Sequence, residues 1–169
     1  MQSLPPSDPV LDERLRLLVE SYQRLTGKVL IPSVGAASAA NIRQGATDFA
    51  AEAAPTLREA LWNAPRAIVA HGTEEEPIFF YGNRLALRLF EMSFEEFARL
   101  PSRLSAEPLA QEARVKLLEK VARQGYVDGY SGMRIAKSGR RFMITDTTVW
   151  NLVDEHGGYH GQAAVFVAQ

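Results

Sequence analysis

The chain has 169 residues, 46% hydrophobic and 23% charged, and its 19 basic residues almost balance 20 acidic residues to give a net charge of -1. This length is enough for one domain with a sizeable core, and the balanced charge excludes a global field that would attract nucleic acid or acidic membranes. Because the chain has no cysteine, disulfides, thiolate catalysis, iron–sulfur clusters, zinc–thiolate sites and covalent cysteinyl-flavin chemistry are also excluded.

The N-terminal part predicts one amphipathic helix. Asp8 is a suitable N-cap, Pro9 suits the first helical position, and Gly27 suits the end of the helix. Apolar residues recur in steps of three and four along one seam, which consists of Leu11, Leu15, Leu18, Tyr22 and Leu25. Two heptads are too short for a free coiled coil, so we expect the seam to dock on the chain's own core or on a second copy.

Neither a signal peptide nor a membrane span is predicted. The N-terminus lacks both a basic region and an apolar region. Uninterrupted apolar runs are far shorter than the roughly 20 residues that a membrane helix needs. A basic hairpin tip around Arg140 lacks the interleaved aromatic residues of a nucleic-acid surface. We therefore expect a soluble cytoplasmic protein that binds neither membranes nor nucleic acid.

Composition and spacing divide the chain into three parts. Residues 1–30 hold the helix, residues 31–54 form a connector of small residues with a short alanine-rich helix, and residues 55–169 carry the remaining elements. The elements predicted in this third part are a helix over Leu57–Trp62, strands Ala67–Ala70 and Ile78–Tyr81, two short helices capped by Asn83 and Ser93, a helix over Leu109–Arg123, and strands Tyr126–Ala136, Arg141–Val153 and Tyr159–Val167. This order favours an α+β fold with one five-stranded antiparallel sheet and helices on one face.

Three stretches of the third part resemble a PAS domain. Leu61–Val69 resembles the entry to its first strand, and Tyr81–Phe97 resembles its second strand with the first helices. Ser131–Phe142 resembles the hairpin that closes its sheet. Four shorter segments resemble, more specifically, the MEKHLA family, a PAS-like group, and they are His71–Glu74, Pro101–Pro108, Asp128–Gly132 and Val149–Leu152. The resemblance spans about residues 57–167 and extends more loosely to the first helix.

The resemblance implies a five-stranded PAS-like sheet with a ligand-sized hollow between sheet and helices. In plants, the domain ends homeodomain–leucine-zipper transcription factors and is proposed to regulate them through sensing or dimerisation. Bacterial-type members of the family look like stand-alone domains, as this chain does. The family brings no established catalytic residues, so the resemblance assigns none to this chain.

Alternation along the strand Arg141–Val153 predicts which of its side chains face the core. One parity of this strand ends in large apolar groups and is expected to face inward, and it comprises Phe142, Ile144, Asp146, Thr148, Trp150 and Leu152. Asp146 and Thr148 would then lie among apolar neighbours, where a carboxylate needs a cation, a donor or a ligand. Two interpretations stay open: Asp146 contacts a bound small molecule, or Arg134 on the neighbouring strand satisfies it.

Polar residues at the ends of the first two strands form a second candidate group. His71 ends the first strand and Asn83 follows the second, so both are expected at the mouth of the hollow. His71 is a candidate general base with Tyr130 as the acid, or it fixes a turn together with Glu74 or Asn83. Asn83 needs no role beyond capping a helix. With these, the candidate ligand-binding residues are Asp146, Thr148, Trp150, Phe80, His71, Asn83, Tyr130 and Arg134.

Cofactor expectations follow from ring stacking and from histidine positions. Haem is disfavoured because the helix over Leu109–Arg123 contains no histidine. Noncovalent flavin stays open because three aromatic rings are available to stack on it: Trp150, Tyr126 and Phe80. No metal site is predicted, because a glycine turn rather than one helical turn separates the two histidines of the last hairpin.

Three functions compete. The first is a stand-alone sensory or regulatory domain that binds a small apolar or aromatic metabolite and signals through a second copy or a partner protein. The second is a ligand-free dimerisation module, for which changing Leu15 and Leu18 to glutamate should give a soluble monomer. The third is a small acid/base enzyme that uses Asp146 with His71 or Tyr130, and it has no catalytic motif behind it.

Overall fold

The computed structural model describes residues 2–32 and 54–169. The predicted connector over residues 31–54, with its short alanine-rich helix, lies almost entirely outside the described residues. None of the helices within the described ranges is long and apolar enough to cross a bilayer.

The described residues form one antiparallel sheet and five α-helices. The helices are α1 (Pro9–Thr26), α2 (Leu57–Trp62), α3 (Arg84–Phe90), α4 (Phe94–Phe97) and α5 (Pro108–Gln124), with a 3₁₀ turn at Ser102–Ser105 before α5. The strands are β1 (Ala67–His71), β2 (Phe79–Gly82), β3 (Tyr126–Ile135), β4 (Arg141–Val153) and β5 (Tyr159–Ala168). They pair in the order β2-β1-β5-β4-β3, with every pair antiparallel. The predicted five-stranded α+β fold is confirmed.

Local sequence signals set the helix ends. The Asp8 side chain accepts a hydrogen bond from the backbone N–H of Val10 at 3.0 Å, and Gly27 ends α1 with a left-handed φ of 72°. Ser93 and Glu96 form a capping box at the start of α4. These caps satisfy backbone groups that would otherwise have no partner at the helix termini.

Helix α1 covers one face of the sheet of its own chain. Trp150 in β4 donates from its indole nitrogen to the backbone carbonyl of Leu18 at 3.2 Å. Its ring meets the ring of Tyr22 edge-on, with 4.8 Å between the ring centres. Of the predicted seam, Leu15, Leu18 and Tyr22 are buried, while Leu11 and Leu25 are half-buried beside them. The seam therefore docks on the chain's own core, which was one of the two arrangements expected.

Polar contacts hold the C-terminal half of α1 against the end of β4. The Ser21 hydroxyl donates to the backbone carbonyl of Val153 at 2.9 Å and accepts from its N–H at 3.0 Å. Arg24 donates to the same carbonyl at 2.7 Å. These bonds fix the position of α1 along the sheet as well as the face that it covers.

Helices α3, α4 and α5 cover the opposite face of the sheet. Along β1, Ile68 and Ala70 pack on the α1 side, while Ala67 and Val69 pack on the side of the other helices. Every residue of β1 is therefore buried. A strand that is covered on both faces is expected to be apolar throughout, as this one is up to His71 at its end.

A β-bulge at Asp146 divides β4 into two halves of opposite parity. Asp146 has a left-handed φ of 48°, and the pairing with β5 shifts register between Thr145 and Thr148. Ile144, before the bulge, faces the helices, whereas Trp150, after the bulge, faces α1. The predicted single inward face of β4 is therefore wrong, because one extra residue reverses the side of every side chain that follows.

The predicted burial of Asp146 is also wrong. Its side chain is 78% exposed and forms an ion pair with Arg66 at 3.4 Å. Arg66 also donates to the backbone carbonyl of Asp146, which holds the bulge from the β1 side of the sheet. In the described residues Arg134 makes no ion pair or hydrogen bond with Asp146, so the expected contact between them does not form.

The docking of α1 gives the first testable prediction. Leu18 is completely buried, so Leu18→Ala should lower the free energy of unfolding by about 2–5 kcal/mol. Val10→Ala on the exposed side of the same helix should change it by less than about 0.5 kcal/mol. Chemical denaturation measures both values.

The double change of Leu15 and Leu18 to glutamate should unfold the protein, since both charges would be buried. A double variant that remains folded as a monomer, with the stability of the unchanged protein, would contradict the docking and make the seam an interface between chains.

Candidate functional site

A small cavity lies between the sheet and α5, and we call it the central cavity. Its volume is about 50 Å³. Its apolar wall includes Val69, Phe79, Phe90, Ile144, Val149 and Phe166. Its polar side chains are His71, Ser105, Arg114, Arg134, Thr147 and Gln162. An apolar hollow with a few convergent polar groups is typical of a small-molecule site.

Arg114 brings a positive charge to the cavity from α5. It lies one helical turn before Leu117 and Leu118, on the same stripe as Val121, so the helix directs it inward. Its exposed fraction is only 7%, and it forms no hydrogen bond or ion pair with any described residue. Burial, and after it the positive charge of Arg134, lowers the pKa of Arg114 to about 10. The side chain therefore remains charged at neutral pH.

Arg134 brings a second positive charge from β3. It is 8% exposed, and its guanidinium lies 5.7 Å from the centre of the Tyr130 ring. Its one hydrogen bond in the described part of the chain is to the neighbouring Met133 carbonyl, at 2.9 Å. A guanidinium has five N–H donors, so most of the donors of Arg134 have no partner among the described residues.

His71 ends β1 at the edge of the cavity and is 6% exposed. Its Nδ1 lies 3.0 Å from the Gly72 carbonyl. Because a carbonyl oxygen only accepts, Nδ1 carries the hydrogen. Nε2 has no hydrogen-bond partner among the described residues, although the Gln162 side chain lies beside it. Burial holds the pKa of His71 below its usual range despite the bond to Gly72, and the charge of Arg114 acts in the same direction.

Two amides attach α5 to the sheet beside the cavity. Gln162 in β5 donates to the Leu118 carbonyl at 3.2 Å and to the Asn151 side-chain oxygen at 3.1 Å. Asn151 in β4 donates to the Val121 carbonyl at 3.1 Å. These bonds hold the helix that carries Arg114 at a fixed distance from the strands.

A wider cleft of about 440 Å³ opens beside the central cavity, and we call it the outer cleft. It is lined partly by Pro77, Val115, Glu119 and Tyr159. Both spaces share four lining residues, which are His71, Arg114, Leu118 and Gln162. These shared residues place the outer cleft directly beside the central cavity.

Of the eight candidate ligand residues, only His71 and Arg134 line the central cavity. Trp150 and Phe80 lie on the α1 side of the sheet, where Phe80 stacks beneath Arg14 with 4.6 Å from the guanidinium carbon to the ring centre. Thr148 is buried and donates its hydroxyl hydrogen to Asp128. Trp150 and Thr148 were predicted to line the cavity, but the bulge turns both side chains away from it.

Asn83 lies at the centre of a complete hydrogen-bond set. Its side-chain oxygen accepts from the N–H groups of Ile68 and Ala86, both at 3.1 Å, and its amide donates to the Leu61 and Arg66 carbonyls at 3.2 and 2.9 Å. Asn83 therefore joins α2, β1 and α3 and keeps no free polar atom for a ligand.

The acid/base group considered for catalysis does not come together. Asp146 is exposed at the bulge, and the Tyr130 ring lies beneath Arg134, so neither stands beside His71 at the end of β1. Asn83, the other turn partner considered for His71, is occupied by its own four hydrogen bonds.

Sequence reasoning missed Arg114, which is one of the two charged residues of the cavity. Arg114 lies three residues before Leu117 and seven before Val121, so it belongs to the apolar stripe of α5. This spacing indicates a buried arginine. Gln162 likewise interrupts the apolar alternation of β5. Thr147 carried no such signal, because its direction depends on the bulge.

The strand order and the cavity between the sheet and the helices define a PAS-type fold. The structure is similar to the crystal structure of a PAS domain of a protein from Colwellia psychrerythraea, with a TM-score of 0.57 and 19% identity over 65% of this chain and 91% of that one. It is also similar to a light-oxygen-voltage domain studied with a flavin analogue, with a TM-score of 0.56 and 19% identity over 67% of this chain and 84% of that one. At this identity the likeness establishes the fold alone.

The chain belongs to the MEKHLA domain family, whose model matches residues 12–169. It is 29% identical over 115 residues to the homeobox-leucine zipper protein HOX10 of Oryza sativa subsp. indica, covering 68% of this chain and 14% of that protein. It is 25% identical over 134 residues to the homeobox-leucine zipper protein ATHB-9 of Arabidopsis thaliana, covering 76% of this chain and 16% of that protein. The chain thus corresponds to about one-seventh of the length of these relatives.

The central cavity does not fit the flavin that the light-oxygen-voltage neighbour suggests. A cavity of about 50 Å³ is far smaller than the several hundred Å³ that larger organic ligands need. Trp150 and Phe80, which were expected to stack on a flavin ring, contact α1 instead. The space suits a much smaller molecule.

The burial of His71 predicts a loss of stability in mild acid. Its pKa is lowered in the folded protein, whereas in the unfolded chain it is about 6.5. Above about pH 6.5 this residue is neutral in both the folded and the unfolded protein, so it adds no pH dependence to the free energy of unfolding. As the pH falls below this value, the unfolded chain takes up a proton first, and stability is lost until the lower folded pKa is reached.

His71→Asn should therefore flatten the curve of unfolding free energy against pH just below about 6.5, as measured by urea denaturation at successive pH values. His156→Asn is the matched control, since His156 is highly exposed. If His71→Asn and His156→Asn leave the same acid dependence as in the unchanged protein, the account of a buried neutral His71 is wrong.

Proposed function

We propose that this chain is a sensory domain that binds a small organic molecule in the central cavity and responds by changing how α1 is held on the sheet. The observation that supports this proposal is the combination in one cavity of an apolar wall and polar groups without partners. Nε2 of His71 is buried without a hydrogen-bond partner, and the guanidinium of Arg114, which is 7% exposed, makes no hydrogen bond or ion pair with any described residue. Buried polar groups without partners are costly, and a ligand that satisfies them is stabilised in return.

Consecutive residues of β4 connect the cavity to α1. Val149 lines the cavity, and Trp150, on the other face of the sheet, donates to the Leu18 carbonyl. A molecule that presses on Val149 displaces the backbone that also carries Trp150. The docking of α1 is therefore the element that can differ between the empty and the occupied domain.

The proposed output is association with another protein or with a second copy of the chain. The seam residue Leu18 is covered by the sheet, so a partner reaches it only when α1 is loosened. Ligand binding and association are thereby linked. A ligand can shift the docking of α1 only by as much as its affinity differs between the domain with α1 docked and the domain with α1 loosened.

Filling the cavity tests the proposal. Val149→Phe places a larger apolar side chain in the cavity, and Val167→Phe makes the same change at an exposed position in β5. Thermal unfolding is measured for both variants and for the unchanged protein with a panel of small acids, amides, alcohols and aromatic compounds. At least one compound should raise the Tm of the unchanged protein and of Val167→Phe, and should leave the Tm of Val149→Phe unchanged.

Hydrogen exchange then tests the proposed response. The same compound should change the exchange rates of amides in α1, although α1 does not line the cavity. Val149→Leu replaces Val149→Phe if the larger side chain prevents folding. Equal ligand shifts in the filled variant, or no shift with any compound, would contradict the proposal.

A further inference from the structure

We propose that the ligand of the central cavity is a short organic carboxylate, whose acid group is bound by Arg114 and Arg134 together. This inference rests on the proposed function, because it assigns a chemical class to the molecule in the same cavity. Three features of the described residues support it: the isolation of the two arginine charges, the mutual repulsion of the two guanidinium groups, and the composition of the remaining wall.

The first feature is the isolation of the two arginine charges. Arg114 and Arg134 are both more than nine-tenths buried and both line the cavity. Neither forms an ion pair within residues 2–32 and 54–169. By contrast, the exposed Arg103, Arg140 and Arg141 each have a glutamate partner. Among the described arginines that have no ion pair, Arg114 and Arg134 are the only buried ones, so the missing carboxylate is most costly there.

The second feature is the mutual repulsion of the two guanidinium groups. Burial, and then the charge of Arg134, lowers the pKa of Arg114. Two like charges that line one small cavity destabilise each other, and an anion between them removes that repulsion. A carboxylate accepts paired hydrogen bonds from the planar fork of an arginine, so this anion also uses the free donors.

The third feature is the rest of the wall. Beyond the arginines it is mostly apolar, with Val69, Phe90, Ile144 and Phe166 among its side chains. A phosphate would leave oxygens against these groups without donors, whereas the hydrocarbon end of a carboxylic acid would contact them favourably. The volume of about 50 Å³ admits only a very short hydrocarbon end behind the acid group.

The carboxylates of the outer cleft do not take the place of this ligand. Glu75, Glu76 and Glu119 line the cleft, but none of them pairs with Arg114. Glu76 is already paired with Arg103. They line the outer cleft and not the central cavity, so they leave the place of the anion free.

Titration calorimetry with propionate and its uncharged isostere propionamide tests the inference. Propionate should bind the unchanged protein, and propionamide should bind at least tenfold more weakly, since it lacks the charge that both arginines require. Arg114→Met keeps most of the side-chain length and removes the charge, and it should weaken propionate binding at least tenfold. Arg123→Met, at an exposed position on the same helix, should leave binding unchanged.

A second readout separates ligand binding from a structural role of Arg114. Removing an unpaired buried charge should stabilise the empty protein, so Arg114→Met should raise its Tm by about 2–4 °C. Arg123→Met should not change the Tm. A structural arginine would behave in the opposite way, and a clear fall in Tm for Arg114→Met would overturn the inference.

The outcomes distinguish this inference from the proposed function. If propionamide binds as well as propionate, or if Arg114→Met binds propionate normally, the carboxylate assignment is overturned. If inorganic phosphate binds more tightly than propionate and acetate, the choice of a carboxylate over other anions is overturned. In each of these cases the proposed function still stands, provided that Val149→Phe abolishes the binding. Propionate binding that survives Val149→Phe would place the anion outside the cavity and overturn the inference.

Discussion

The bulge at Asp146 is the feature of β4 on which the arrangement of the domain depends. The strand must supply apolar side chains to the helices over its first half and to α1 over its second half. One left-handed residue, with a φ of 48°, achieves this by reversing the direction of all later side chains. Thr147 and Val149 thereby reach the cavity, while Trp150 reaches α1. The proposed link between cavity and helix relies on this reversal, because it turns Val149 to the cavity and the next residue, Trp150, to α1.

Much of the fold could be predicted from the sequence because its signals are local. Asp8 and Ser93 cap their helices, Gly27 ends α1, and the glycine turns of the two last hairpins fix their pairing. These signals depend on a few neighbouring residues and on backbone geometry alone. They are sufficient to establish the order of the elements, and with it the antiparallel sheet.

The site was less predictable for two reasons. Its residues come from elements that are distant in the sequence, and the bulge in β4 reverses the direction of the side chains that follow it. Alternation placed Asp146 in the core, but an acidic residue tolerates the left-handed conformation of a bulge and lies in solvent there. Arg114 occupies an inward position of α5, yet charged residues are expected on the outer face of a helix. His71 and Arg134 were identified because strand ends and polar strand residues are visible in the sequence.

This chain is a MEKHLA domain with a PAS fold, whose sheet separates a charged cavity from a docked N-terminal helix. We propose that the cavity, rather than the surface, binds a small carboxylate. The most direct test is the map of backbone amide shifts of the isotopically labelled protein on titration with propionate. We expect saturable shifts concentrated at Arg134, Thr147 and Val149, with further shifts in α1. Shifts confined to exposed basic residues such as Arg140, or no saturable shifts, would contradict binding in the cavity.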